Sequence, residues 1–128
     1  MASHYHDDHI GCTTDVLNEF PLNQFAFDRG GTYSSGTYNK YVTKVGSKRR
    51  TVMVGQRLTL DPSSATPVQI DFVALNGAGV ATTNENDLSV VAVVHFGNFD
   101  AEIAGDLSEY RELLRGHRNA GCSEGRAS

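Results

Sequence analysis

One stretch limits the possible folds more than any other. Leu88 to Val94 reads LSVVAVV, a β-branched and almost wholly apolar run of strand length. A strand of that composition is apolar on both faces, so it needs cover on both sides and belongs in the centre of a sheet within a layered structure. Gly97-Asn98 follows as a hairpin signal. Phe99, Ala101 and Ile103 then alternate on the return strand, which runs into Gly105-Asp106.

The remaining chain supplies material for an α/β fold. His9 to Glu19 reads as one short helix, with Cys12 inside it and with Ile10, Val16, Leu17 and Phe20 near one face, stopped by Pro21. Phe25 to Phe27 is a short strand, broken by Asp28-Arg29-Gly30-Gly31. Tyr38, Tyr41, Val42 and Val45 follow helical spacing and end at Gly46. Lys48-Arg49-Arg50 reads as a solvated basic turn. Thr51 to Val54 and Arg57 to Leu60 are short strands around Gly55, and Val68 to Ala74 alternates as a half-buried strand. Gly77 to Asn86 is a polar loop. Leu107 to Arg115 is compatible with a helix, and residues 116–128 have no apolar period and read as a disordered tail.

Bulk properties narrow the function classes. A chain of 128 residues with 39% hydrophobic and 20% charged residues is a folded chain rather than a disordered one. The formal net charge of -4 removes a global basic field for nucleic acid, although bound metal ions can supply local positive charge. Tyr33, Tyr38 and Tyr41 with Lys40, Lys44 and Lys48 are more simply a packed helix than a stacking platform. No apolar run approaches the roughly 20 residues that span a bilayer, and no targeting segment is visible, so the cytoplasm is the default compartment. Cys12 and Cys122 make no disulfide framework.

The chemistry is concentrated at the amino end. His4-Tyr5-His6-Asp7-Asp8-His9 fits His-x-His-x-Asp-His without a gap. On extended backbone, residues two apart point the same way, so His4 and His6 can share one ion. If the chain then turns into a helix, Asp8 and His9 emerge at its first turn and face a second ion. Imidazole and carboxylate suit zinc, with manganese as the alternative. An accidental surface cluster or an affinity-tag remnant is the bland alternative, but a tag carries consecutive histidines and a linker, whereas this motif leads directly into an amphipathic helix.

Ser3-His4-Tyr5-His6-Asp7-Asp8-His9-Ile10-Gly11 resembles the metal-binding motif of the metallo-β-lactamase-fold hydrolases. NENDLSVVAVVHFGNFDAEIAGD is similar to a second block of one branch of that superfamily, the soluble domain of ComEC-like competence proteins that import DNA. Asn86, Ser89, Gly97, Gly105 and Asp106 are the matching positions. The resemblance implies an αββα sandwich with mixed sheets and outer helices, present in part over residues 1–115. It also implies two zinc ions: His4 and His6 on the first, Asp8 and His9 on the second, and Asp106 bridging both. Asp8 is the candidate catalytic residue. The implied activity is hydrolysis of a phosphodiester, with DNA as the leading substrate. An extracytoplasmic site would follow if the parent is a competence protein.

Some of the family pattern is missing. Members place sheet strands before the first motif and a further histidine after the Gly-Asp aspartate. Here only Met1-Ala2 precede the cluster, and His117, the one downstream histidine, follows Asp106 too soon and without an apolar strand. His95 reads as a strand-end histidine rather than a ligand. The chain therefore looks like the middle of a longer domain, and poor solubility or a molten state is expected of it alone; a sharp cooperative melt would contradict that. The rival to an enzyme is a fragment that binds metal through His4, His6, Asp8 and His9 and catalyses nothing.

Overall fold

A computed structural model describes residues 1–107 of the chain. The expected helix over 107–115 and the tail over 116–128 fall outside the described residues, apart from Leu107. The fold is mixed α/β with two sheets. In chain order the elements are α1 (Asp7–Ile10), α2 (Thr13–Glu19), β1 (Ala26–Asp28), α3 (Gly36–Val45), β2 (Arg49–Thr51), β3 (Arg57–Leu60), β4 (Val68–Ala74), β5 (Val91–Phe96) and β6 (Phe99–Ile103). Among the described residues no helix is long and apolar enough to cross a membrane.

The β1–α3–β2 unit makes a parallel pair, with Ala26 opposite Arg49 and Asp28 opposite Thr51. Strands β3, β4, β5 and β6 form an antiparallel meander in sequence order, so the apolar run does supply an inner strand. Its observed bounds start later than the apolar run, because Leu88 closes a 3₁₀ turn and Ser89 follows it. Gly97-Asn98 makes the two-residue turn between Phe96 and Phe99, as the sequence predicts.

The strand period of two sorts the layers. In β1, Ala26 faces the helices, where Tyr5, Ile10, Tyr38, Tyr41 and Val45 pack, while Phe27 faces the four-stranded sheet. Phe27 meets Phe72 of β4 at 6.1 Å between ring centroids, and Val52, Val90 and Ala92 complete that core. The molecule is thus a helix layer, a parallel pair and a meander. On the far face of the meander Ala74 and Val91 pack with Val73, Ala104 and Leu107.

Three expectations need correction. The helix over His9–Glu19 is two helices, because the chain leaves helical geometry at Cys12 (φ -84, ψ 3), which caps α2 rather than lying inside a continuous helix. Ile10 is buried and Leu17 packs against the core, but Val16 and Phe20 are exposed. The basic run is a solvated turn only in part: Lys48 and Arg50 are exposed, but Arg49 opens β2 and its guanidinium reaches Asp28 at 2.6 Å. Strand β2 also lies earlier than expected, at Arg49–Thr51 rather than Thr51–Val54. Helix α3 matches its prediction, capped by Ser35, whose Oγ accepts from the Tyr38 N–H at 3.0 Å. Tyr38 and Tyr41 are buried, as a packed helix requires.

Across the outer face of the meander runs a ladder of charges. Arg57 donates twice to Asp71, at 2.5 and 2.6 Å; Asp71 lies 3.3 Å from His95 Nε2; His95 Nδ1 lies 2.6 Å from Asp100. One side chain from each strand takes part. The hydrogen bonds from Arg57 hold the Asp71 carboxyl below the ordinary carboxylate range. A depressed native pKa gives stability that is present above the unfolded value and lost as pH falls through the native one. Urea midpoints are therefore expected to fall between about pH 5 and about pH 3, and Asp71→Asn is expected to flatten that slope. An unchanged slope in the variant would remove the ladder from the account of acid stability.

Candidate metal centre

The cluster is built on a short, heavily tethered segment. The Ala2 N–H donates to Phe27 O of β1 at 2.9 Å, and the Val90 N–H donates to Ser3 O at 2.9 Å. Residues 2–3 thus connect the parallel pair to the residue that leads into β5, an inner strand of the meander. His6 is extended (φ -66, ψ 152) and caps α1, and the His9 N–H donates back to His6 O at 3.0 Å. Asp8 and His9 consequently lie in the first turn of a helix, the local geometry that the spacing predicts.

The fold brings the second block to this point. Asp106 Oδ1 lies 3.2 Å from His9 Nε2, although the two residues are far apart in the chain. His4, His9 and Asp106 each offer one ligand atom, and these atoms lie within 4.8 Å of one another. His6 joins through a ring contact, its Nδ1 standing 3.2 Å from His4 Nε2. Asp8 is the outlying member: Oδ2 is 3.8 Å from His9 Nε2 and its side chain is exposed. All five residues singled out in the sequence therefore share one neighbourhood, and three of them converge on one point.

His4 is fully buried, and its pKa is held below the ordinary histidine value, first by burial and then by the neighbouring His9 and His6. A neutral imidazole keeps a lone pair for a cation. Its Nδ1 lies 3.2 Å from Ser89 Oγ, so Ser89 touches the cluster directly. Asn86 supplies the carbonyl that accepts the Ser89 N–H at 3.1 Å, and its buried Oδ1 has no partner among the described residues. Gly105 has φ +57, and a Cβ there would come within 2.8 Å of Ser3 Cβ and Ser89 Oγ. Only glycine lets the chain turn so close behind Asp106. His95, by contrast, stands in the charge ladder and is no member of the group.

Sequence reasoning missed the support beneath the cluster. Glu85 is buried; its Oε1 accepts from the Tyr5 N–H at 2.9 Å and from Arg29 Nε at 2.9 Å, and its Oε2 from Arg29 Nη2 at 2.6 Å. The Arg29 guanidinium also lies 4.3 Å above the Tyr5 ring. Asp28, also buried, accepts from the Tyr41 hydroxyl at 2.8 Å and from Arg49, and Arg49 reaches the Tyr5 hydroxyl at 2.6 Å. Burial, followed by the Asp28 carboxylate, holds the Tyr5 and Tyr41 phenols above their ordinary range, so both stay donors. Nothing local in the sequence marks Glu85, because its partners lie in other segments. Asp28-Arg29 has the composition of a surface turn.

A cleft of about 920 Å³ lies over the outer face of the meander beside Arg57, Asp71 and His95 and contains no cluster residue. A smaller cavity of about 270 Å³ touches Asp8 and His9. Comparison with known proteins gave no match to a family model, a curated protein or a solved structure.

Arg29 and Glu85 are both nearly enclosed, with side chains 6% exposed. Removing one partner leaves the other charge buried and unpaired. Glu85→Ala is expected to cost about 3–5 kcal/mol in urea unfolding, whereas a variant in which apolar residues replace both should lose much less. A single variant within about 1 kcal/mol of wild type would show that the pair does not hold this region.

Proposed function

We propose that this chain carries the metal centre of a metal-dependent hydrolase of the metallo-β-lactamase fold, related to the DNA-importing competence proteins. The observation that carries the reading is the 3.2 Å approach of His9 Nε2 and Asp106 Oδ1, which unites the two blocks behind the resemblance. The helix layer, parallel pair and meander are compatible with the first three layers of an αββα sandwich, with the cluster in segments outside the strands.

The donor set suits a divalent cation: imidazole nitrogens, a carboxylate, and a buried histidine biased to its neutral form. His4 and His6 would hold one ion, Asp8 and His9 a second, with Asp106 between them. Cations held by these residues would supply Lewis acidity, acidifying water and offsetting negative charge that develops on substrate. The protein's own part is positional. Glu85 and Arg29 fix the backbone at Tyr5, so the flanking His4 and His6 stand in set directions. Asp8, the most exposed of the set, faces solvent, where substrate arrives. Zinc is the proposed metal, manganese the alternative, and a phosphodiester such as DNA the proposed substrate.

A second reading, metal binding without turnover, has one observation in its favour. The converging group is His4, His9 and Asp106, with His6 and Asp8 outside it, as a single-ion site would be. Zinc titration followed by a chromogenic phosphodiester assay separates the two. The enzyme reading expects uptake of two ions and turnover. Asp106→Ala is expected to lose turnover, and to lose zinc affinity by more than the about 10–100-fold that removal of a supporting partner costs. One bound ion without turnover would establish the binding-only reading. Equal activity in variant and wild type would remove the bridging role of Asp106.

A further inference from the structure

One hydroxyl touches two of the candidate ligands. Ser3 Oγ lies 3.2 Å from His4 Nδ1 and 3.2 Å from His9 Nδ1. The other ring nitrogens turn toward the cluster: His4 Nε2 lies beside His6 Nδ1, and His9 Nε2 beside Asp106 Oδ1, each at 3.2 Å. Both rings therefore present the same nitrogen to the serine.

Hydrogen counting decides what such a serine can do. A hydroxyl has one hydrogen and two lone pairs, so it accepts from two N–H groups at once but donates to only one. A histidine that binds a cation through Nε2 carries its hydrogen on Nδ1, and the partner of that hydrogen fixes tautomer and ring orientation. Two such rings need two acceptors at Nδ1, and Ser3 Oγ stands where it can serve both.

We propose that Ser3 is a shared positioning residue of the centre: its Oγ accepts Nδ1–H from both His4 and His9, freeing both Nε2 atoms for divalent cations. The proposal rests on the metal-centre reading, because only cation uptake requires both Nε2 atoms free. It has a built-in asymmetry. His4 Nδ1 has a second hydroxyl, Ser89 Oγ, at 3.2 Å, whereas Ser3 is the only hydrogen-bond partner of His9 Nδ1 among the described residues. Gly105 makes the arrangement possible, since a Cβ there would collide with both serines.

The test uses the whole chain loaded with zinc. Long-range proton–nitrogen NMR of the histidine rings is expected to show hydrogen on Nδ1 and metal on Nε2 for both His4 and His9. In Ser3→Ala the His9 Nδ1–H should exchange with water far faster while that of His4 keeps its protection; in Ser89→Ala the His9 signal should be untouched. Chelator competition should show zinc affinity about 10–100-fold lower in Ser3→Ala, with Ser3→Thr restoring it. Either ring bound through Nδ1, or wild-type affinity in Ser3→Ala, overturns the proposal while leaving the metal centre intact. The wild-type spectrum decides the matter even if Ser3→Ala does not fold. A wild type that takes up no zinc overturns the metal reading, and this proposal with it.

Discussion

The candidate centre depends on how the first few residues are held. The Ala2 N–H is taken by β1, Ser3 O by Val90 at the head of β5, and the Tyr5 N–H by the Glu85 carboxylate. Each bond reaches a different part of the fold. Chain ends usually fray because their backbone groups find partners in water instead. Here the middle of β1, the residue before β5 and a buried carboxylate supply those partners, so the histidine cluster acquires fixed directions. With that segment loose, His4 and His9 would have no reason to meet Asp106.

The support is ionic rather than apolar, which is unusual for buried positions. Burying Arg29 against Glu85 and Arg49 against Asp28 costs desolvation that the attraction between each pair offsets only when the geometry is good. The geometry is good: Arg29 makes two contacts to Glu85, and the Asp28 carboxylate also receives the Tyr41 hydroxyl and the Gly30 N–H. Such a network adds little net stability compared with an apolar core. What it adds is directional restraint, since a hydrogen-bonded pair tolerates less rotation than methyl groups do. That is a use suited to a segment whose neighbours must aim imidazole rings.

Much of this was legible in the residues. Periodicity located α3, β3, β4 and the β5–β6 hairpin, because their apolar spacing is set by faces that pack. The meeting of His4, His9 and Asp106 was foreshadowed as well, since the spacing of His4, His6, Asp8 and His9 is local and Asp106 closes the second block. The charged interior was not legible. Asp28, Arg29, Arg49 and Glu85 carry side chains that ordinarily seek water, and only their long-range pairing makes burial tolerable. The break at Cys12 was hidden for a similar reason, because helical spacing survives a small change of direction. Ser89 is a matching position in the second block, and its contact with His4 emerges only from the fold.

Strand β6 forms an open margin of the meander, and among the described residues nothing pairs with its outer side. Phe99 and Ile103 are exposed along it, which would ordinarily invite another chain to add itself. Asp100 and Glu102 alternate with them on the same strand. Two copies meeting antiparallel through β6 would set carboxylates of one against carboxylates of the other. That mutual repulsion works against fibril growth, so charge guards the border that the described residues leave open.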